Sequence, residues 1–341
     1  MNCQTNQDLD NLENKIVLTG DRPTGKLHLG HYVGSLKNRT ILQKKNTQYI
    51  MVANLQALTD NMQSHFDIAK YSIEIVKDYI AAGIDPNLNT MFLQSEVPAL
   101  SELTILFLNC VKYAKLIRNP TLKEEIKDKY KADSVNMGFL CYPISQAADI
   151  LAFSTDYVPV GLDQAPMIEQ CNDIVSSLNK LSESLSLKKV QPLFSHHPRL
   201  IGIDGKKKMS KSLNNFISLS ETNEEIRKKV FAMYTDANHV KIQDPGQVEG
   251  NTVFAYLEVF FEDKNELETL KSRYTKGGVS DVSLKDLLYQ TLLNIISPIR
   301  ELRNSISDNT VRQILEKGSK EANKIAQKNL IHIKSTLAIK L

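Results

Sequence analysis

Two histidines flank a Leu-Gly pair in the run Pro23-Thr24-Gly25-Lys26-Leu27-His28-Leu29-Gly30-His31. Imidazole N–H groups at the entry of a helix can bond phosphate oxygens, and a helix N-terminus itself favours an anion. Gly30 has no side chain to keep a ligand's ring from packing on the backbone. A second charged string lies far downstream, Lys206-Lys207-Lys208-Met209-Ser210-Lys211-Ser212, after Gly202-Ile203-Asp204-Gly205. Its lysines repel one another, so this loop is best held down by an anionic ligand. Taken singly, His-x-Gly-His reads equally well as two surface histidines, and a lysine run is usually a solvated face. Both together, in this order, predict a site that handles phosphate.

The elements around these strings could position them. A β-branched run over 16–19 predicts a strand, and Gly20 to Gly25 break it before a helical pattern over 28–43. Strands are expected at 49–53, 90–94 and 157–161. Helices are expected at 67–82, 101–117, 136–152 and 166–181, with Gly83-Ile84-Asp85-Pro86 ending the first of these. Alternation of this kind predicts an α/β fold, a Rossmann-like doubly wound parallel sheet with ligands at the carboxyl ends of its strands. Beyond about residue 215 helices dominate, at 222–233, 253–262, 283–304 and 309–339. The expected division is a catalytic domain over 1–215 and an α-helical region over 216–341, whose last helix could pack back on the first domain.

His28-Leu29-Gly30-His31 and Lys208-Met209-Ser210-Lys211-Ser212 together resemble the two signature motifs of the class I aminoacyl-tRNA synthetases. The resemblance implies ATP as substrate, with Mg²⁺ bridging its phosphates and no protein side chain as metal ligand. It implies that His28 and His31 stabilise the transferring phosphate while Lys208 and Lys211 hold the departing pyrophosphate. Arg22, Pro23, Thr24 and Gly30 would line the nucleotide, with Met209, Ser210 and Ser212 in the closing loop. Gly161, Leu162 and Asp163 would lie against ATP, Asp163 near the ribose, and Leu200 would pack on adenine.

Gly20 to Gly25, Gly83 to Pro86, Phe92 to Pro98 and Val158 to Gln164 are similar to the tryptophan members of that class. By that resemblance Asp149, in the segment Tyr142 to Leu151, accepts the indole N–H, with Tyr142, Gln146 and Gln164 about the amino acid. An indole nitrogen only donates and a carboxylate only accepts, so the pairing is chemically apt. The spacing Tyr142, Gln146, Asp149 also resembles the tyrosine members, which keeps tyrosine as the alternative. A small nucleotidyltransferase and a catalytically silent RNA-binding paralogue are the further rivals. Arg22, Gln56 and Gln146 depart from common bacterial members.

The resemblance further implies L-tryptophan and tRNA(Trp) as partners, a homodimer, and an anticodon-reading helical region. On the last helix Lys317, Lys320, Lys324 and Lys328 share one face, read as a solvated face with a phosphate track as the alternative. Ile314, Ala322, Ile325 and Ala326 would form the docking face. The 341 residues, 42% hydrophobic and 24% charged, suit a globular chain, and the net charge of +3 alone does not mark a nucleic-acid binder. No apolar run is long enough to span a membrane, and the polar stretch 1–14 resembles no signal or transit peptide, so a cytoplasmic protein is expected. Cys3, Cys110, Cys141 and Cys171 are scattered and expected to be free thiols.

Overall fold

The computed structural model describes residues 9–62, 67–130, 134–182, 184–194, 200–206, 209, 211, 213–236 and 238–339. Among these, five strands form one parallel sheet in the order β3-β2-β1-β4-β5. They are β1 (Ile16–Asp21), β2 (Thr47–Val52), β3 (Asn89–Leu93), β4 (Tyr157–Val160) and β5 (Gln191–Phe194). The order reverses between β1 and β4, which leaves a crevice outside their carboxyl ends.

Leaving β1, the chain turns into α1 (Leu29–His31), passes through a π-helical stretch (Tyr32–Leu36) and continues as α2 (Lys37–Leu42). The sheet is further flanked by α3 (Leu58–Asn61), α4 (Ile68–Ala81), α5 (Ala99–Leu108), α6 (Tyr113–Leu116), α7 (Pro120–Lys129), α8 (Met137–Leu151) and α9 (Ala165–Leu181). The helical region contains α10 (Asn223–Phe231), α11 (Thr252–Phe260), α12 (Lys264–Lys276), α13 (Asp281–Ser305) and α14 (Asp308–Thr336).

Besides the four-residue α3, three of these elements escaped the sequence reading. Helix α7 buries only Thr121 and Leu122, so it has almost no apolar stripe, although Asn119 caps it and Pro120 opens it. Helix α12 likewise buries only Leu267 and Tyr274. Strand β5 is four residues long and carries Pro192, which an edge strand tolerates. The helix expected over 101–117 stops at Leu108 and resumes only as the short α6.

Two large cores and a small one around Leu12, Val17, Leu42 and Leu193 meet on the sheet. On one side Leu27, Leu29 and Val33 share a cluster with Ile217, Val230, Leu257 and Leu288, so the histidine segment rests partly on the helical region. The other cluster joins Leu18, Tyr49 and Phe92 to Phe139, Ile144, Ala148 and Ile174. Helix α14 comes back to the sheet and lies against β3. Leu93 N–H donates to Ser319 Oγ (3.1 Å), and a Cβ on Gly318 would stand 1.9 Å from Met91 O. Small residues at that contact let the helix cover an edge strand. Ala322 and Ala326 are buried there, but Ile325, expected on the docking face, is exposed. Lys317, Lys320, Lys324 and Lys328 are exposed, and Lys320 pairs with Glu316. Cys110, Cys141 and Cys171 are free thiols, and Cys3 lies outside the described residues.

Candidate active site

The loop from 22 to 28 is fixed by three neighbours. Leu27 N–H donates to Asp78 Oδ2 (3.1 Å), and Asp78 Oδ1 accepts from Arg303 Nε of α13 (2.6 Å). Burial pushes the Asp78 carboxyl upward, against the pull of Arg303 and the Leu27 N–H. From the far side of the lysine loop, Leu29 N–H donates to Ile217 O (3.0 Å) and Leu219 N–H to Leu27 O (3.1 Å). His28 then caps the helix, its Nδ1 accepting from Gly30 N–H (3.1 Å), while His31 Nδ1 accepts from His28 N–H (3.3 Å). The two rings stand 3.8 Å apart between centroids. A Cβ on Gly30 would sit 2.9 Å from the His28 ring, so any larger residue there would push that ring aside.

Beneath them, Asp21 ends β1 and accepts from Arg39 (2.6 Å) and from Tyr79 O–H (2.7 Å). Burial alone would raise its carboxyl, but Arg39, His31 and Tyr79 outweigh it and hold it below the usual range. Arg39 itself is fully buried.

The lysine loop reaches the histidines. Lys211 Nζ donates to Gly25 O (2.9 Å), at a backbone φ of +123° that glycine allows. Burial lowers the Lys211 ammonium below its usual range, with Asp21 and Asp78 opposing. Met209 is buried, its sulfur 3.5 Å from the Cβ position of Gly30, and its N–H donates to Leu200 O (3.1 Å). Leu200 is buried in the same core. The loop's base is tied by Ile203 N–H to Asn215 O (2.9 Å) and by Asn215 Nδ2 to Asp204 (3.2 Å). Lys208, Ser210 and Ser212 lie outside the described residues.

Across the switch point, Gly161, Leu162 and Asp163 are exposed where β4 ends. Thr121 Oγ1 donates to Asp163 O (2.6 Å), which ties α7 to this turn. Next to it lies a cavity of about 210 Å³ lined by Arg22, Gln56, Glu125, Tyr142, Gln146 and Gln164. Tyr142 O–H donates to Glu125 Oε2 (3.2 Å), and burial together with Glu125 pushes its hydroxyl pKa upward. Arg22 Nη1 spans both oxygens of Asp60 (3.0 Å each). Pro23 is buried and Thr24 half-buried, with Thr24 N–H turned onto Arg22 O (2.8 Å).

The structure thus brings Arg22, Tyr142, Gln146 and Gln164 to one cavity, whereas Asp149 is not among the lining residues. It is buried one turn further along α8, and both its oxygens accept from Gln94 Nε2 (2.9 and 3.0 Å). Gln94 Oε1 accepts from Gln56 N–H (3.0 Å), which fixes the orientation of that amide. Burial raises the Asp149 carboxyl to about 7, the Gln94 amide opposing. Gln94, Asp60 and Glu125 were missed as site residues. They touch the site through folding alone, with no spacing that relates them to either signature string.

A doubly wound sheet with the two signature strings meeting beside its switch point defines the class of tRNA synthetases. The family described as tRNA synthetases class I (W and Y) matches residues 11–297, and the chain belongs to it. It is 46% identical over 333 residues to a tryptophan–tRNA ligase of Streptococcus agalactiae, covering 95% of this chain and 98% of the relative. It is 48% identical over 331 residues to a tryptophan–tRNA ligase of Clostridium longisporum, covering 95% and 97%. Among solved structures, tryptophanyl-tRNA synthetase of Campylobacter jejuni, complexed with ADP and tryptophan, superposes with a TM-score of 0.84 at 28% identity, covering 95% of this chain and 99% of that one.

Proposed function

We propose that this chain is a tryptophan–tRNA ligase, activating L-tryptophan with ATP and passing the tryptophanyl group to tRNA(Trp). The observation that carries the reading is Asp149, a buried carboxylate whose described partner is one amide, one turn beyond Gln146 on the helix that lines the cavity. Such an acceptor suits a side chain with a single N–H and is costly to leave unpaired. The similarity to the streptococcal and clostridial tryptophan enzymes supports tryptophan over tyrosine. The intact histidines and Lys211 argue against a silent paralogue.

The amino acid's carboxylate attacks the α-phosphate and pyrophosphate leaves. Little covalent work falls to the protein, so its part is positioning and charge stabilisation. His28 and His31 face the transferring phosphate, and Lys208 and Lys211 receive the leaving pyrophosphate with Met209, Ser210 and Ser212 of the same loop. Arg22, Pro23, Thr24 and Gly30 line the phosphates. Gly161, Leu162 and Asp163 border the ribose, and Leu200 underlies adenine. Tyr142, Gln146 and Gln164 surround the amino acid's head group. Mg²⁺ would come with ATP and would offset the phosphate charge beside His28, His31, Lys208 and Lys211.

Residues 1–215 form the catalytic unit in this reading and 216–341 the anticodon-reading region. A second copy would bury Ile105, Leu108, Tyr113 and Ile117, apolar side chains that α5, α6 and the following turn expose. No helix of the described residues is long and apolar enough to cross a membrane, and a cytoplasmic enzyme fits the proposed chemistry. The test is charging of tRNA(Trp) transcript by the purified protein. Tryptophan should be attached and tyrosine should not; attachment of tyrosine alone would overturn the reading.

A further inference from the structure

Two side chains in the amino-acid cavity, the neutral Gln56 and the charged Glu125, have no role in the reading above. Glu125 lies on α7, half-buried, and lines the cavity with Arg22, Gln56, Tyr142, Gln146 and Gln164. Among these described lining residues Arg22 is the one cation, Glu125 the one anion, and the others are neutral. A free amino acid enters as a zwitterion, and a half-buried site distinguishes it from its analogues by pairing each charge. Arg22 supplies the partner for a carboxylate or phosphate, which leaves the α-ammonium to Glu125.

The geometry agrees. Glu125 uses Oε2 to accept the Tyr142 O–H (3.2 Å), and Lys129 stands 4.0 Å from that oxygen but 3.1 Å from Asp60. Among the described residues Glu125 Oε1 takes part in no hydrogen bond, so it keeps acceptor capacity. Tyr142, Gln146 and Asp149 follow one another at helical spacing along one face of α8, about 10 Å from first to last at 1.5 Å per residue. An aromatic amino acid whose ring nitrogen turns to Asp149 therefore has its head group at the Tyr142 end, next to Glu125. We infer that Glu125 accepts the substrate's α-ammonium and sets the preference for an α-amino acid over the corresponding desamino acid. This rests on the tryptophan reading of the site.

The test is a binding cycle by calorimetry on the full chain, wild type and Glu125→Gln, with L-tryptophan and with indole-3-propionate. The second ligand has the same ring and carboxylate but no ammonium. Glu125→Gln should weaken tryptophan about tenfold or more, the range of a charged hydrogen bond, and leave indole-3-propionate within about twofold. In ATP–pyrophosphate exchange KM for tryptophan should rise with it, kcat staying within about threefold. Equal weakening of both ligands, or of neither, overturns the assignment to Glu125 alone. A wild-type protein that does not bind tryptophan overturns the reading of the whole site.

Discussion

The histidine end of the site is held mainly through backbone groups, the amino-acid end almost wholly through side chains. Leu27 and Leu29 are fixed by main-chain bonds to 217–219 and by Asp78, which in turn depends on Arg303 from a helix far along the chain. At the other end, Arg22, Glu125, Tyr142, Gln146 and Gln164 come from four separate segments and are joined by side-chain contacts such as Tyr142 to Glu125. A backbone frame keeps its geometry under most substitutions and concentrates its vulnerability in a few buried supports. A side-chain pocket changes its ligand preference with single replacements while the frame stands.

The sharpest way to break this contrast is Arg303→Ala. It leaves Asp78 buried with its charge unmatched and Glu74 without its partner. Loss of one member of a buried pair costs about 3–5 kcal/mol. Unfolding in urea should show a midpoint lowered to match, and a loss below about 1 kcal/mol would mean that water replaces the arginine there.

A smaller effect should appear at the amino-acid end, as a pH dependence. The Asp149 carboxyl is raised to about 7 by burial, from 3.8 in the unfolded chain. The folded state therefore holds its proton more tightly than the unfolded state. This contributes stability that is fully present below about pH 4 and is lost as pH rises through about 7. Tryptophan binding should run the other way, because the ionised carboxylate is the stronger acceptor for an indole N–H and the protonated carboxyl the weaker one. Affinity measured by calorimetry should fall as pH drops below 7, by at most about tenfold per unit, and level off once the carboxyl is fully protonated. Asp149→Asn should bind with a flat profile over the same range. A wild-type profile equally flat would place the indole away from Asp149.

The same division explains what could be read in the sequence. The histidine end is written in two contiguous strings, and the resemblance they carry together pointed to it before the structure brought Lys211 to Gly25 and Met209 to Gly30. At the amino-acid end, Tyr142, Gln146 and Asp149 were named through the resemblance, and the structure sets them along α8 with only the first two lining the cavity. Glu125 was not, since α7 has almost no apolar periodicity and its approach to the cavity depends on Thr121 bonding Asp163 across the fold. Gln94 could be quoted as part of a motif, yet its bond to Asp149 joins residues on different elements. Helix α14 against β3 illustrates the same limit. Gly318, Ser319 and Ala322 mark a close approach only once the strand they meet is known.

The most direct test of the account is ATP–pyrophosphate exchange by the purified chain, with tryptophan and with tyrosine in separate reactions. The expected result is exchange with tryptophan alone, reduced about 100-fold or more in Lys211→Ala, the size of losing one charge-stabilising donor. Exchange with tyrosine alone, or a Lys211→Ala variant as active as wild type, would contradict it.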